Sequence, residues 1–84
     1  MTRILFFGRV SDAAGCSEIT TEIPRELRTV GDVRDWLAAR DDALAPVILS
    51  PTVRAAVDRV FCSGDADLVV DAEEIAFMSP LSGG

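Results

Sequence analysis

Gly83 and Gly84 close the chain, and they are the residues best suited to do chemistry. Lacking a Cβ, paired glycines make the thinnest and most conformationally free end a polypeptide can have. Such an end could enter a channel too narrow for any side chain and leave its α-carboxylate beside a reactive group. Chance puts glycine at both final positions in about one chain in 200; the plain alternative is a frayed terminus. Other candidates are few. With no histidine in the sequence, a zinc site is disfavoured and a His-dependent triad is impossible. Cys16 and Cys62 form no CxxC pair; they read as free thiols, Cys62 at least partly buried. The carboxylates between Asp65 and Glu74 read as a solvated turn rather than an acid–base pair. There is no P-loop and no GxGxxG.

The elements that must position such a tail fit one domain. At 84 residues and 49% hydrophobic, the chain can bury about 60% of its unfolded surface, enough for a core without metal or disulfides. Fourteen acids against eight bases give a net charge of −6. That charge repels phosphate backbones, which argues against nucleic-acid binding, and favours a partner with a basic docking surface. All eight bases are arginine, so the chain cannot build lysine-linked chains with itself. No apolar run approaches the ~20 residues of a membrane span. The opening MTRILFFGRV reads as a strand, not a signal peptide, so the expected compartment is cytoplasmic.

Residues Arg3–Val10 are β-branched and aromatic and read as a first strand; Ser11–Ser17, with Gly15, reads as a turn. Glu18–Ile23 alternates, with Ile19, Thr21 and Ile23 on one face, and Pro24 ends that second strand. Thr29-Val30-Gly31-Asp32 is a capping signature, and Val30, Val33, Trp36 and Leu37 recur at helical spacing. The expected helix runs from about Val30 to Arg40, with Trp36 a core anchor and with Asp32, Asp35, Arg34 and Arg40 placed to suit its dipole. Asp41–Ser50 is either a loop or a short helix broken at Pro46. Strand-like text returns at Thr52 and bends at Asp58-Arg59 before Val60-Phe61-Cys62. Turns at Ser63–Asp65 and Asp71–Glu73 flank the short apolar Leu68–Val70, and Glu74–Met78 is the last strand. Pro80 blocks its continuation, giving a domain over 1–79 and a tail over 80–84.

The order ββαββ, with one main helix on one face of a small mixed sheet, is an α+β architecture. The other face of such a sheet should be polar. Here, if Ile4, Phe6, Ile75 and Phe77 point inward, Leu5, Phe7, Ala76 and Met78 point outward, with Phe61 beside them. An apolar outer face next to the tail suggests a protein-docking surface, unless the Pro46–Leu49 segment folds over it.

Several stretches together resemble the small subunit of molybdopterin synthase: LFFGRVSDAAG, the helix opening TVGDVRDWL, the strand containing AAVD, and DLVVDAEEIAFMSPLSGG to the end. The resemblance spans essentially the whole chain and is most specific in the first strand and the ending. The chain departs from the family at Ser11-Asp12, usually Arg-Glu; at Asp58, usually Asn; at Asp71-Ala72-Glu73, usually Asp-Gly-Asp; and at Ser79-Pro80, often two prolines. The resemblance implies a ubiquitin-like β-grasp fold and a sulfur carrier. Gly84 would be adenylated with ATP by a partner resembling ubiquitin-activating enzymes, then converted to a thiocarboxylate, with Gly83 needed for threading. The tail would enter the large subunit of a heterotetrameric synthase and give sulfur to cyclic pyranopterin monophosphate. Pro80, Leu81 and Ser82 would contact the partner's groove, and Phe7, Phe61 and Met78 would form the docking face. The carrier itself would bind neither metal nor cofactor, ATP being used by the activating partner, and would not be catalytic alone.

Two other readings share these features. Sulfur carriers of thiamine, cysteine or tRNA-thiolation pathways have the same fold and diglycine. A ubiquitin-like interaction module or modifier would use the tail for isopeptide bonds. An electron-transfer β-grasp domain fails, because an iron–sulfur cluster needs more cysteines than the two present.

Overall fold

Alternation along the first strand decides the layering of the molecule. In the computed structural model, which describes residues 1–80, β1 (Thr2–Phe7) buries Thr2, Ile4 and Phe6 while Arg3, Leu5 and Phe7 face the other way. It is followed by α1 (Arg9–Ala14), β2 (Glu18–Thr21), α2 (Val30–Arg40), α3 (Ala45–Ile48), β3 (Arg54–Val57), β4 (Val60–Phe61) and β5 (Glu74–Met78). The five strands form one sheet in the order β2-β1-β5-β3-β4. Only β1 and β5 run parallel; the β1–β2, β3–β5 and β3–β4 pairs are antiparallel. The expected ββαββ frame therefore holds, with the final strand at the centre of the sheet.

The core lies between the sheet's inner face and the helices. Ile4, Ile48, Ile75, Phe77, Val10, Val30 and Val33 are fully enclosed there, each such side chain stabilising by about 1.5–3 kcal/mol. Trp36 is half-buried against that cluster, with the Arg40 guanidinium 4.6 Å above its ring. α2 begins as its sequence dictates: Asp32 N–H donates to Thr29 Oγ1 at 3.2 Å, while Asp32 Oδ2 accepts from Arg28 and Thr29 N–H at 3.0 and 3.2 Å. The next N–H groups, of Val30 and Gly31, donate to Asp67 and Asp65 carbonyls at 2.9 Å. The Asp65–Asp67 turn thus completes the start of the helix.

Four expectations need correction. The first strand stops at Phe7, not Val10, because Gly8 takes φ +64° and turns the chain. The Ser11–Ser17 turn is largely the helix α1, whose Val10 belongs to the core. β2 ends at Thr21, two residues short of Ile23. Arg34 does not serve the helix dipole; it is buried, as described below. The ambiguous Asp41–Ser50 stretch contains the short helix α3, with Pro46 in its first turn, where the missing N–H costs nothing. α3 packs beside α2 and sends Ile48 into the core. It therefore covers the inner face and leaves the outer one open.

Candidate functional site

The outer face of the sheet is ordered from polar to apolar along the strands. At its far end Arg3 stands beside Glu74 in register and approaches Glu18 at 3.4 Å and Glu74 at 3.6 Å. The next row runs Glu18, Leu5, Ala76, Ala56, Phe61 across all five strands. The last row, nearest the chain's end, runs Phe7, Met78, Arg54. Phe7 is 49% and Phe61 68% exposed, Met78 is half-buried, and small Ala76, though outward-facing, is shaded by its neighbours. The three candidate docking residues thus share one face, Phe7 and Met78 at the end of the sheet from which the tail departs and Phe61 one row back. Arg54 is exposed among them and makes no ion pair among the described residues.

β5 delivers the tail from the centre of this face. Met78 is its last paired residue, and Pro80, having no N–H, cannot extend the ladder. Between them, Ser79 Oγ accepts the Arg9 N–H at 2.8 Å. Pro80 is exposed. Leu81, Ser82, Gly83 and Gly84 lie outside the described residues.

Two carboxylates of the turns around the sheet are occupied structurally. Asp58 Oδ1 accepts from Glu73 and Glu74 N–H at 2.9 and 3.0 Å, and Asp67 accepts from Ser63 N–H and Oγ at 2.9 and 3.0 Å. Cys62 and Cys16 are free thiols; desolvation, with the Asp67 charge next, pushes the Cys62 thiol up, so it holds its proton at neutral pH. Among the described residues no cluster of His, Cys, Asp or Glu could hold a metal ion. Such a surface can dock a protein and aim a tail; its described residues offer no acid–base pair.

One important residue escaped sequence reasoning. Arg34 Nη1 donates to the Ile48 and Ser50 carbonyls at 2.9 and 3.4 Å, and Nη2 donates to the Val53 carbonyl. Its Nε lies 3.0 Å from Asp65 Oδ1, a close ion pair whose N–H is poorly aligned for a hydrogen bond. Its guanidinium also sits 5.6 Å from the Phe77 ring centre. The signal was present: Arg34 follows Val30 by four residues and precedes Leu37 by three, which puts it on the apolar stripe.

Sheet order, a central parallel β1–β5 pair and one long helix on the inner face define a ubiquitin-like β-grasp domain. The chain belongs to the ThiS family, which matches residues 4–84. The molybdopterin synthase sulfur carrier subunit of Escherichia coli (strain K12) is 33% identical over 84 residues, covering 100% of both chains. Among solved structures, SAMP1 from Haloferax volcanii superposes with a TM-score of 0.78 at 20% identity, covering 99% of this chain and 98% of that one. A second structure, of the H. volcanii small archaeal modifier protein 1, gives 0.77 at 17% identity, covering 95% and 97%. These two show a shared fold. No helix among the described residues is long and apolar enough to cross a membrane.

Proposed function

We propose that this chain is the sulfur-carrying small subunit of a molybdopterin synthase, acting in the cytoplasm. The end-to-end match to the carrier subunit, 33% identical over 100% of both chains, carries the proposal. The apolar face grouped around the base of the tail supports it, since a carrier must dock before it delivers. In this reading the Gly84 carboxylate attacks the α-phosphorus of ATP on a ubiquitin-activating-like adenylyltransferase, and pyrophosphate leaves. Hydrosulfide then displaces AMP from the acyl carbon, leaving a thiocarboxylate. Adenylation is needed because a carboxylate is a poor electrophile and a mixed anhydride with AMP supplies a leaving group. The thiocarboxylate, a soft nucleophile, enters the large subunit on the Pro80–Gly83 stem. Its sulfur displaces an oxygen substituent from a carbon of cyclic pyranopterin monophosphate, and hydrolysis of the resulting thioester leaves the sulfur on the substrate and returns the Gly84 carboxylate. Phe7, Phe61 and Met78 hold the two subunits together, and this chain holds no cofactor of its own.

The test is an intact-mass measurement on the chain purified from its own host without added thiols, followed by reconstitution with the large subunit. Replacement of one oxygen by sulfur at Gly84, and conversion of the cyclic precursor by that form alone, is the expected result. A Gly84 carboxylate that stays unmodified with ATP, a sulfur donor and the cognate activating enzyme would end the carrier reading. A thiocarboxylate that the large subunit does not consume would instead point to a carrier of another pathway. Lengthening the chain by one residue beyond Gly84 is expected to abolish sulfur transfer and leave the fold intact.

A further inference from the structure

The base of the tail is tied to a distant part of the chain by one side chain. Ser79 Oγ accepts the backbone N–H of Arg9 at 2.8 Å, a contact spanning 70 residues of sequence. Arg9 is the first residue of α1, and Gly8 before it offers no side-chain cap. The N–H groups of a first helical turn have no partner within the helix, so the Ser79 hydroxyl supplies one from outside. Gly8 is shaped to admit it. A Cβ there would stand 2.5 Å from Ser79 Oγ, and the residue also holds φ +64°, which side chains disfavour. The same Gly8 carbonyl accepts the Ser11 hydroxyl at 2.8 Å and the Ser11 N–H at 3.1 Å, so the junction that receives Ser79 is itself held. The next residue is Pro80, whose ring fixes its own φ at about −65°.

We infer that Ser79 is a positioning residue for the reactive tail: its hydroxyl, seated against Gly8 on the Arg9 amide, sets the point and direction from which the chain leaves the sheet at Pro80. This inference rests on the carrier reading given above. β5 has its last ladder partner at Met78, and without the clip the chain would be tethered there alone. With it, the fixed stem extends through Ser79 and, by ring closure, into Pro80. A tail that starts from a fixed stem loses less conformational freedom on entering a partner's channel, and pre-organisation of that kind raises affinity without adding contacts. Ser79 touches no reacting atom; it acts through the tail, and this separates its effect from that of the docking face.

The Ser79→Ala chain tests this in two ways. Hydrogen exchange of the Arg9 amide, followed by NMR in the isolated chain, should quicken when the hydroxyl is removed; an unchanged rate would overturn the clip. Binding to the large synthase subunit should then be measured for four chains: wild type, Ser79→Ala, a truncation lacking residues 81–84, and both changes together. Loss of the clip should weaken binding roughly fivefold, about the factor one hydrogen bond contributes, but only when the tail is present. Equal weakening with and without the tail would show that Ser79 merely shapes the face, and no weakening in either would show that it does nothing; both overturn the inference. Gly8→Ala should reproduce the Ser79→Ala effect and not add to it. A wild-type chain that binds no better than its truncation would count against the carrier reading, and the Arg9 exchange rate would still decide the clip.

Discussion

The Arg34 guanidinium answers the carbonyls of Ile48, Ser50 and Val53, the stretch that carries the chain from α3 into β3. Buried carbonyls deprived of a charged donor lose far more than the hydrogen bonds contributed, because nothing resolvates them. Arg34→Met keeps the unbranched stem as far as the Nε position and removes every donor. It is expected to lower unfolding stability by about 2–4 kcal/mol, read as a shifted urea midpoint. The Asp65 side chain is largely exposed, so Asp65→Asn should cost far less, as half-exposed pairs do. Asp32 carries a different signature. The Arg28 N–H first and the Thr29 N–H next hold its carboxyl below the ordinary value of 3.8. A carboxyl lowered by folding stabilises the native state fully above its unfolded value, and that contribution is lost as pH falls through its folded value. Wild-type Tm should therefore drop on the acid side more steeply than that of Asp32→Asn, with the two profiles running parallel at neutral pH. Equal acid slopes would show that the capping carboxylate is not under this control.

At the scale of elements, the Asp58-Arg59 turn joins β3 to β4 with both residues at positive φ, 48° and 70°. Two-residue hairpins want that mirror-image turn because it matches the strands' twist, and they usually supply glycine for it. Asp58 compensates by accepting two N–H groups from Glu73 and Glu74, but Arg59 makes no ion pair among the described residues. Arg59→Gly should thus stabilise by about 1 kcal/mol, the cost of a left-handed side-chain residue, seen as a higher Tm with an unchanged fold. This turn was legible from Asp58-Arg59 standing between two apolar runs even without its glycine. α2 and β5 were legible to the residue, one from a local capping box and an apolar stripe, the other from a short apolar run that Pro80 closes. α1 was not, and the reason is physical: its first N–H is capped by Ser79, 70 residues away, so no neighbouring residue announces the start of the helix, and Gly15, which caps its end, reads equally as a turn glycine. The outer face was legible as a pattern in Leu5, Phe7 and Met78. Whether α3 covered it was not, because that depends on Ile48 choosing the core side, a tertiary decision.

Taken whole, the molecule is acidic, and it carries an apolar face where the tail departs, beside Arg54, which makes no ion pair among the described residues. A net charge of −6 should speed encounter with a basic partner and make that encounter sensitive to salt. Contact itself should depend on the outer face, and the two faces of the sheet allow a clean contrast. Phe61 and Phe77 belong to strands of the same sheet, yet Phe61 is 68% exposed and Phe77 fully enclosed. Phe77→Asp places a charge in the enclosed cluster that holds Ile4, Ile75 and Val33, where the nearby Arg34 guanidinium is already committed to the Ile48, Ser50 and Val53 carbonyls and to Asp65, and should unfold the chain. Phe61→Asp leaves that core untouched, so its unfolding midpoint should stay within about 0.5 kcal/mol of wild type. The same change sets an ion into the apolar patch that a partner must desolvate, and should weaken binding to the large synthase subunit by more than about tenfold. Phe7→Asp, at the near end of the face, should behave as Phe61→Asp does. Calorimetric titration beside chemical denaturation separates the outcomes. If Phe61→Asp binds normally while remaining folded, the partner does not use this face, and docking must rest on the tail alone. If it unfolds, the outer face is part of the core, and the division of the sheet into a structural side and a recognition side is wrong.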